Sequence, residues 1–200
     1  MAIVPWRKIG QATVLAEGYK KRLELQKFLD HNGKEVDFYF LERPFWSVIL
    51  PITKDGQVVM VRHFKQGSEK IMDELPAGVA DFSSETPEQV IRRELEEETG
   101  YIAGKIVPLG SGHYDSGSSH SKFYCFMATE CEPAGKVSLD ETEQIDLVKI
   151  PFPDWVREML KAETDEWDAV LLVLRALPHL GVDVFDIIKP HLPTKFQTVK

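Results

Sequence analysis

The chain has 200 residues, 43% of them hydrophobic, and a formal net charge of −8. This length suits one compact domain with a small accessory layer. The negative charge argues against a nucleic acid polymer as partner, because phosphate polymers are bound by basic surfaces. No apolar run is long enough to cross a membrane, and the amino terminus lacks the apolar stretch of a secretory signal. We therefore expect a cytoplasmic protein with no membrane partner.

A β-hairpin is predicted in the amino-terminal section, from about residue 22 to residue 41. The tripeptide His31-Asn32-Gly33 separates two segments rich in apolar residues, and Asn-Gly is a strong signal for a tight turn. We treat residues 1–43 as a β-strand section that precedes a main domain of residues 44–200. A second hairpin follows, in which Lys54-Asp55-Gly56 joins two apolar runs typical of strands in a buried sheet.

Basic residues mark the end of this second hairpin. Arg62, His63 and Lys65 lie within its second strand and precede an acidic segment. Of these residues, Arg62 carries a guanidinium fork, whose geometry matches that of phosphate oxygens. We expect His63 to have a structural role.

The acidic segment contains Glu94, Glu97 and Glu98, at spacings of three and four residues. On an α-helix these spacings bring the side chains onto one face, where like charges repel one another and weaken the helix. A divalent cation would offset this repulsion, since hard ions such as Mg2+ take oxygen ligands, often together with substrate phosphates. The alternative is a solvated acidic face without a ligand, which is what most charge runs are.

The ends of this helix are marked in the sequence. Thr86 is a suitable N-cap, Pro87 suits the first helical position, and Gln89 completes a capping box. Gly100 can close the helix in a left-handed conformation. Three apolar residues of this helix, Val90, Ile91 and Leu95, can face a core. Arg93 lies one turn before Glu97 and can hold the Glu97 side chain in orientation.

The rest of the chain alternates between strands and helices. A strand is predicted at residues 121–132, and an acidic loop then leads into an apolar strand at residues 146–150. Helical spacing of apolar residues predicts two helices, at residues 153–163 and 166–177. This alternation favours an α/β/α sandwich. Two cysteines, Cys125 and Cys131, indicate neither a disulfide framework nor a metal site.

The segment from Gly78 to Tyr101 resembles the Nudix box, G-x5-E-x7-REUxEExGU, in which U is a bulky apolar residue. The residues that fill its positions are Gly78, Glu85, Arg93, Glu94, Leu95, Glu97, Glu98, Gly100 and Tyr101. One departure is a loop of six residues, 79–84, where the family has five. The resemblance covers most of residues 45–175. It implies a Nudix α/β/α sandwich with a mixed sheet, preceded by the amino-terminal β-hairpin section.

Within the family, the chain most resembles the ADP-ribose and nucleoside diphosphate sugar pyrophosphatases. This implies metal-dependent hydrolysis of the pyrophosphate bond of ADP-ribose or a related nucleotide sugar, with Mg2+ or Mn2+, giving a nucleoside monophosphate and a sugar phosphate. Residues 114–117, Tyr-Asp-Ser-Gly, keep the Ser and Gly of that branch's Ser-Pro-Gly turn but lack its Pro, which weakens the case for ADP-ribose itself. GDP-mannose or another nucleotide sugar is the alternative substrate. A non-catalytic nucleotide-binding module is the alternative class of protein.

The resemblance also implies roles for particular residues. The metal ligands would be the Ala77 carbonyl and the carboxylates of Glu94, Glu97 and Glu98. The acidic loop would supply a general base, Glu141, and an auxiliary carboxylate, Glu143, the alternative being a solvated loop. Arg93 completes the candidate catalytic set, and the candidate substrate-binding residues are Arg62, Glu74, Trp46, Phe28 and Ser116.

The amino-terminal section is expected to form a homodimer, because in the resembling branch such strands make a dimer and cover the substrate base. Its aromatic side chains, with those that follow it, are candidates for stacking on that base. Ordinary packing in a core or an interface is the alternative, since aromatic residues dominate both.

Overall fold

The computed structural model of the protein describes residues 3–80, 84–159, 161 and 167–183. The strands within these ranges are β1 (Arg7–Gly18), β2 (Lys21–Leu29), β3 (Glu35–Glu42), β4 (Trp46–Thr53), β5 (Gln57–Lys65), β6 (Lys70–Glu74), β7 (Ala77–Val79), β8 (Lys105–His113), β9 (Lys122–Cys131) and β10 (Asp146–Pro151). The helices are α1 (Pro87–Thr99), α2 (Phe152–Met159) and α3 (Trp167–Ala176), and a 3-10 helix (Leu177–Leu180) follows α3.

The first three strands form a separate antiparallel sheet in the order β1-β2-β3. The predicted hairpin is confirmed as β2 and β3. The Asp30 carboxylate closes its turn by accepting hydrogen bonds from the backbone N–H groups of Asn32 and Lys34 at 2.8 and 2.9 Å. Strand β1 was not predicted. It is exposed along nearly its whole length, so it lacks the alternation of apolar and polar residues that identifies a half-buried strand.

The larger sheet has seven strands and carries the rest of the fold. Its main path is β10-β5-β4-β9-β8, with β6 paired to β5 and β7 paired to β4. β4 and β9 run parallel, while β4–β7, β5–β6 and β8–β9 are antiparallel. The predicted second hairpin is confirmed as β4 and β5, and the sheet is mixed, as the resemblance implied.

Helices cover both faces of this sheet, which confirms the α/β/α sandwich. Successive residues of a strand point to opposite faces. Ile49 of β4 accordingly packs in one core cluster with Ile91 and Leu95 of α1. Its neighbours in the strand, Val48 and Leu50, pack in a second cluster with side chains of α2 and α3, including Trp155 and Leu172.

The small sheet joins the large one through the loop after β8. The Leu41 N–H donates to the Ser118 carbonyl at 2.9 Å. A Glu42 oxygen accepts from the backbone N–H of His120 at 3.0 Å and lies 2.7 Å from its Nδ1 atom. These contacts anchor β3 to the loop. Among the described residues, none of the helices has both the length and the apolar character that crossing a membrane requires.

Candidate functional site

The site is built on α1, whose ends have the geometry that the sequence predicts. Thr86 Oγ1 accepts from the Gln89 N–H at 3.3 Å, and Gln89 Oε1 accepts from the Thr86 N–H at 2.8 Å. Pro87 opens the helix, and Gly100 ends it with φ at +69°. The apolar face formed by Val90, Ile91 and Leu95 is fully buried. The helix is therefore fixed at both ends and along one side, and its acidic face is held in a defined direction.

Arg93 is the centre of an ion-pair network at the start of this acidic face. Its Nη1 atom lies 2.9 Å from an oxygen of Glu94 and 2.9 Å from an oxygen of Glu97, and its Nε atom lies 3.2 Å from Glu85. Its Nη2 atom donates to the Val79 carbonyl at 3.2 Å. Arg93 thus ties the helix to the preceding loop. The link to Glu85 forms although that loop is one residue longer than the family pattern.

Glu98 lies deeper than the other carboxylates, with 9% of its surface exposed. Its Oε2 atom accepts a hydrogen bond from the Ala77 N–H at 3.2 Å. Burial, followed by repulsion from the charge on Glu94, raises the pKa of Glu98 to about 8. A carboxylate in this position is short of positive charge, which a cation would supply.

Gly78 allows the loop and the helix to approach each other closely. A Cβ atom at this position would lie 2.0 Å from both Cδ and Oε1 of Glu94. No side chain fits at that distance, so glycine is required if Glu94 is to keep this position.

The donor set suits a hard divalent cation. Carboxylate oxygens and a backbone carbonyl are ligands that Mg2+ accepts, and it commonly keeps several waters in place of further protein ligands. Glu94 and Glu97 face Arg93, while Glu98 faces the Ala77 N–H. Within the part of the chain that the structure describes, no three acidic, His or Cys side chains converge closely enough to form a complete cage. The types of donor therefore suit such an ion, but in this arrangement the side chains do not converge on one point.

Glu74 forms a wall beside the loop that carries Ala77. Its Oε2 atom lies 2.6 Å from His63 Nε2 and 2.5 Å from Lys65 Nζ. Burial would raise the pKa of Glu74, but the hydrogen bonds from His63 and Lys65 outweigh burial and lower it. Glu74 is therefore held as a carboxylate, with two basic groups fixed around it.

Two clefts lie near this wall, here called the inner and the outer cleft, and Lys65 lines both of them. The inner cleft has a volume of about 400 Å³ and is lined by Arg43, Trp46, Lys65, Glu74, Leu75, Ala77, Gly78, Val79, Tyr114 and Asp168. In it the Arg43 guanidinium lies 5.6 Å from the centre of the Trp46 ring and 5.4 Å from that of Tyr114. The outer cleft has a volume of about 540 Å³, and its lining includes Tyr19, Arg62, His63, Lys65 and Glu143.

Several predicted site residues meet here. Glu74, Ala77 and Trp46 line the inner cleft, and Arg62 and Glu143 line the outer one. Arg62 is already paired with Asp73, at 2.6 Å from Nε and 2.8 Å from Nη2.

The two residues of the acidic loop differ in their surroundings. A Glu143 oxygen accepts from the Asp140 N–H at 3.0 Å, and the charge on Glu143 contributes to the raised pKa of Glu98. Glu143 is therefore within electrostatic reach of the helix. Both Glu141 and Glu143 are exposed, but Glu141 is not among the residues that line the two clefts.

Phe28 and Ser116 are not among the side chains that line the two clefts. Phe28 packs in the small sheet, with its ring centre 5.6 Å from that of Phe38 and 6.2 Å from that of Phe40. Ser116 is exposed in a turn in which the Asp115 carboxylate accepts from the Gly117 N–H at 3.1 Å. Both remain predictions for the substrate site.

Several residues that line the clefts were not selected from the sequence, among them Tyr19, Arg43, Tyr114 and Asp168. Tyr114 was visible as the aromatic residue before the Ser-Gly turn, and Arg43 as a basic residue just before a buried strand. Tyr19 and Asp168 have no local signal, because only the folded chain brings them to the clefts.

Comparison with known proteins agrees with this geometry. The family model of the NUDIX domain matches residues 41–173. The ADP-ribose pyrophosphatase of Bacillus subtilis (strain 168) is 31% identical over 139 residues, which are 66% of this chain and 75% of that protein. The GDP-mannose pyrophosphatase of Yersinia pestis (strain Pestoides F) is 28% identical over 142 residues, 66% of this chain and 70% of that protein. The crystal structure of an ADP compounds hydrolase matches this chain with a TM-score of 0.77 at 20% sequence identity. The match covers 90% of this chain and 97% of that one, so the two proteins share a fold.

Glu98→Gln should stabilise the metal-free protein, and the gain should grow with pH. The folded-state pKa of about 8 lies above the ordinary value of 4.5. The stability that comes with the neutral carboxyl is therefore fully present below about pH 4.5 and is lost as pH rises through 8. The amide stays neutral, so the gain should be small near pH 5 and on the order of a few kcal/mol near pH 9.

Thermal unfolding in a chelating buffer at pH 5, 7 and 9 measures this gain. Glu88→Gln is the matched control, because Glu88 lies on the same helix but is half exposed and paired with Arg92. A gain for Glu98→Gln that is equal at pH 5 and pH 9 would contradict the assignment.

Proposed function

The chain belongs to the Nudix family and is a pyrophosphatase-type hydrolase, and on this premise we propose that it hydrolyses the pyrophosphate bond of ADP-ribose or a related nucleoside diphosphate sugar. The products would be a nucleoside monophosphate and a sugar phosphate. The observation that carries this proposal is the acidic face of α1, held against the Ala77–Gly78 loop, which lines the inner cleft.

The two clefts suit a substrate with two ends joined by a diphosphate. Lys65 lines both of them and keeps its ammonium group on Glu74. A diphosphate that lies beside this wall would reach the carboxylate face on one side and basic groups on the other. The nucleoside and the sugar would then occupy different clefts, a division that supports a nucleoside diphosphate sugar over a simple nucleoside triphosphate.

A divalent cation, Mg2+ or Mn2+, would be held by Glu94, Glu97, Glu98 and the Ala77 carbonyl, and when bound it polarises the diphosphate and lowers the pKa of water. Arg93 fixes the directions of Glu94 and Glu97 through its two contacts at 2.9 Å. Arg93 therefore acts as a positioning residue, because it orients carboxylates that would hold the cation.

Glu143 is the better supported general base. The helical carboxylates would be engaged with the cation, so the proton acceptor has to come from another element. Glu143 lines the outer cleft, and its charge acts on Glu98. The resemblance implied Glu141 for this role and Glu143 as the auxiliary carboxylate, so the proposal exchanges the two.

A GDP-linked sugar is the second candidate substrate. It is favoured by the similarity to a GDP-mannose pyrophosphatase and by the missing Pro in residues 114–117. The alternative of a non-catalytic binding module has less support, because a module that only binds nucleotide has no need for three carboxylates in this arrangement.

The function is tested by assaying hydrolysis by the purified protein in the presence of Mg2+ or Mn2+. The substrates to compare are ADP-ribose, nucleotide sugars, dinucleoside polyphosphates and coenzyme A. We expect a nucleoside monophosphate and a sugar phosphate from at least one nucleotide sugar. Glu97→Gln should reduce turnover by more than about a hundredfold, since even outer partners of a metal site cost 10- to 100-fold. Glu88→Gln, a change at the opposite end of α1 from Glu97, should retain the turnover of the wild type. Wild-type kcat for Glu97→Gln at saturating Mg2+ would refute the metal site.

Replacement of the two loop carboxylates distinguishes the general base. Glu143→Gln should lower kcat by about a hundredfold to ten-thousandfold, the usual cost of a lost base. It should leave the affinity for Mg2+ nearly unchanged, and Glu141→Gln should have the smaller effect. If Glu141→Gln shows the larger loss of kcat, Glu141 is the base, as the resemblance implies. If each variant loses less than about tenfold, the base lies outside this loop.

The section of residues 1–43 is also proposed to make a homodimer. β2 and β3 pair Leu23 with Leu41 and Leu25 with Tyr39, so these side chains share one face of the small sheet. On that face Leu23 is 37%, Tyr39 57% and Leu41 52% exposed. Apolar side chains this exposed on one face are typical of an interaction surface.

Leu41→Lys should convert a dimer into a monomer, because it places a charge among the exposed apolar side chains of that face. Sedimentation equilibrium of the wild type and the variant at micromolar concentration measures the change. Lys8→Glu, a charge change in the exposed strand β1, is the control and should leave the mass unchanged. A wild type that sediments only as an active monomer would exclude the dimer.

A further inference from the structure

The segment that leads into the acidic loop is attached to the carboxyl end of α1. The last carbonyl groups of an α-helix have no partner within the helix and are satisfied from outside it. Here the Ser138 N–H donates to the Glu97 carbonyl at 2.9 Å, and the Gly135 N–H donates to the Gly100 carbonyl at 3.0 Å. The helix that carries the acidic face therefore also holds the start of the loop that carries Glu143.

Glu96 adds a side-chain contact to this attachment. Its Oε1 atom accepts a hydrogen bond from the Lys136 N–H at 3.4 Å. Its side chain also lies directly against Gly135. A Cβ atom at residue 135 would lie 2.6 Å from Cγ of Glu96, and the three atoms nearest to it all belong to that side chain. Glycine at this position thus lets Glu96 pack closely against the backbone of the loop.

Glu96 differs in direction from the two carboxylates that follow it. The Glu97 side chain faces Arg93, and that of Glu98 faces the Ala77 N–H. Glu96 faces the acidic loop instead. It stands directly before Glu97, at a position that the Nudix box leaves open, so the motif gives it no role. Its contacts show that it joins the helix to the loop.

The part of the loop that carries the candidate bases lies beyond this attachment. Residues 140–144 are all exposed. The Glu143 N–H donates to the Asp140 carbonyl at 2.9 Å, and a Glu143 oxygen accepts from the Asp140 N–H at 3.0 Å. These bonds make a turn, but they lie within the loop and do not fix its direction. The direction is set where the loop is held, at the end of α1 on one side and at the start of β10, which pairs with β5, on the other.

We propose that Glu96 is a positioning residue, which together with Gly135 fixes the acidic loop so that its general base faces the carboxylates of α1. This inference rests on the proposed function, which places the base in this loop. It holds for Glu143 and for Glu141, because both lie beyond the same attachment. One helix then sets the distance between the cation ligands and the proton acceptor. Misplacing a reacting group by about 1 Å can cost about a hundredfold in rate.

Two substitutions of Glu96 test the contact. Glu96→Ala removes it and should lower kcat by about 10- to 100-fold, while KM and the affinity for Mg2+ change little. Glu96→Gln keeps the Oε1 acceptor and the length of the side chain, so its kcat should stay close to that of the wild type. Glu88→Ala is the matched control, because Glu88 lies on the same helix but pairs with Arg92. It should keep the wild-type kcat.

Gly135→Ala tests the same contact from the side of the loop. The added Cβ atom would displace the Glu96 side chain, so kcat should fall as it does in Glu96→Ala. In the Glu96→Ala background this space is open, and adding Gly135→Ala should cost little more. Equal losses from Gly135→Ala in the two backgrounds would show that the residues act independently, which contradicts the inference.

Amide hydrogen exchange separates this inference from the proposed function. Exchange at residues 135–138 should be faster in Glu96→Ala than in the wild type, while α1 stays protected. Either a wild-type kcat or a wild-type rate of exchange at these residues in Glu96→Ala overturns the inference. If the wild type hydrolyses no nucleoside diphosphate compound, the proposed function fails. The exchange rates alone then decide whether Glu96 holds the loop.

Discussion

The concentration of negative charge on one face of α1 is the constraint on which the rest of the site depends. Glu94, Glu97 and Glu98 stand within two turns, and such a face is unfavourable in isolation. Arg93 neutralises part of it by contacting Glu94 and Glu97 directly. Glu98 has no comparable basic partner in the described part of the chain, and burial, followed by repulsion from Glu94, raises its pKa. The helix remains folded because the opposite face, with Ile91 and Leu95, is fully buried, and each such side chain contributes about 1.5–3 kcal/mol.

This arrangement also explains why the surrounding backbone is so restricted. The loop before α1 must pass close enough for the Ala77 N–H to reach Glu98 and for Val79 to receive Arg93. With the Glu94 side chain in its present position, there is no space for a side chain at residue 78. β7 holds the loop in place by pairing Ala77 with Val48 and Gly78 with Ser47 of β4. The backbone at Ala77 and Gly78 is therefore attached to a central strand of the sheet, although the acidic groups of the site face outward.

Much of this could be predicted from the sequence because the signals are local. The capping box, the two turns and the apolar spacing of α1 depend on residues a few positions apart, and the structure confirms them. The sandwich followed from the order of elements. Features that depend on residues far apart in the chain could not be predicted from the sequence. β1 carries no alternation because it is exposed, and the strands β6 and β7 are only five and three residues long. The sequence predicted that Arg62 contacts phosphate, but Asp73 lies opposite it across the β5–β6 pair and already pairs with its guanidinium.

The charge balance of the clefts bears on how an anionic substrate can approach an acidic protein. Two basic groups near the site are already paired with carboxylates, Lys65 with Glu74 and Arg62 with Asp73, while Arg43 lies over the uncharged Trp46 and Tyr114 rings and keeps its full charge. The paired groups can orient phosphate oxygens, but they add little net attraction to set against the carboxylates of α1 and Glu143. Since like charges repel more strongly as water is excluded, a bare diphosphate is poorly matched to this surface. A diphosphate that arrives with a divalent cation carries the missing positive charge, and this balance favours that form of the substrate.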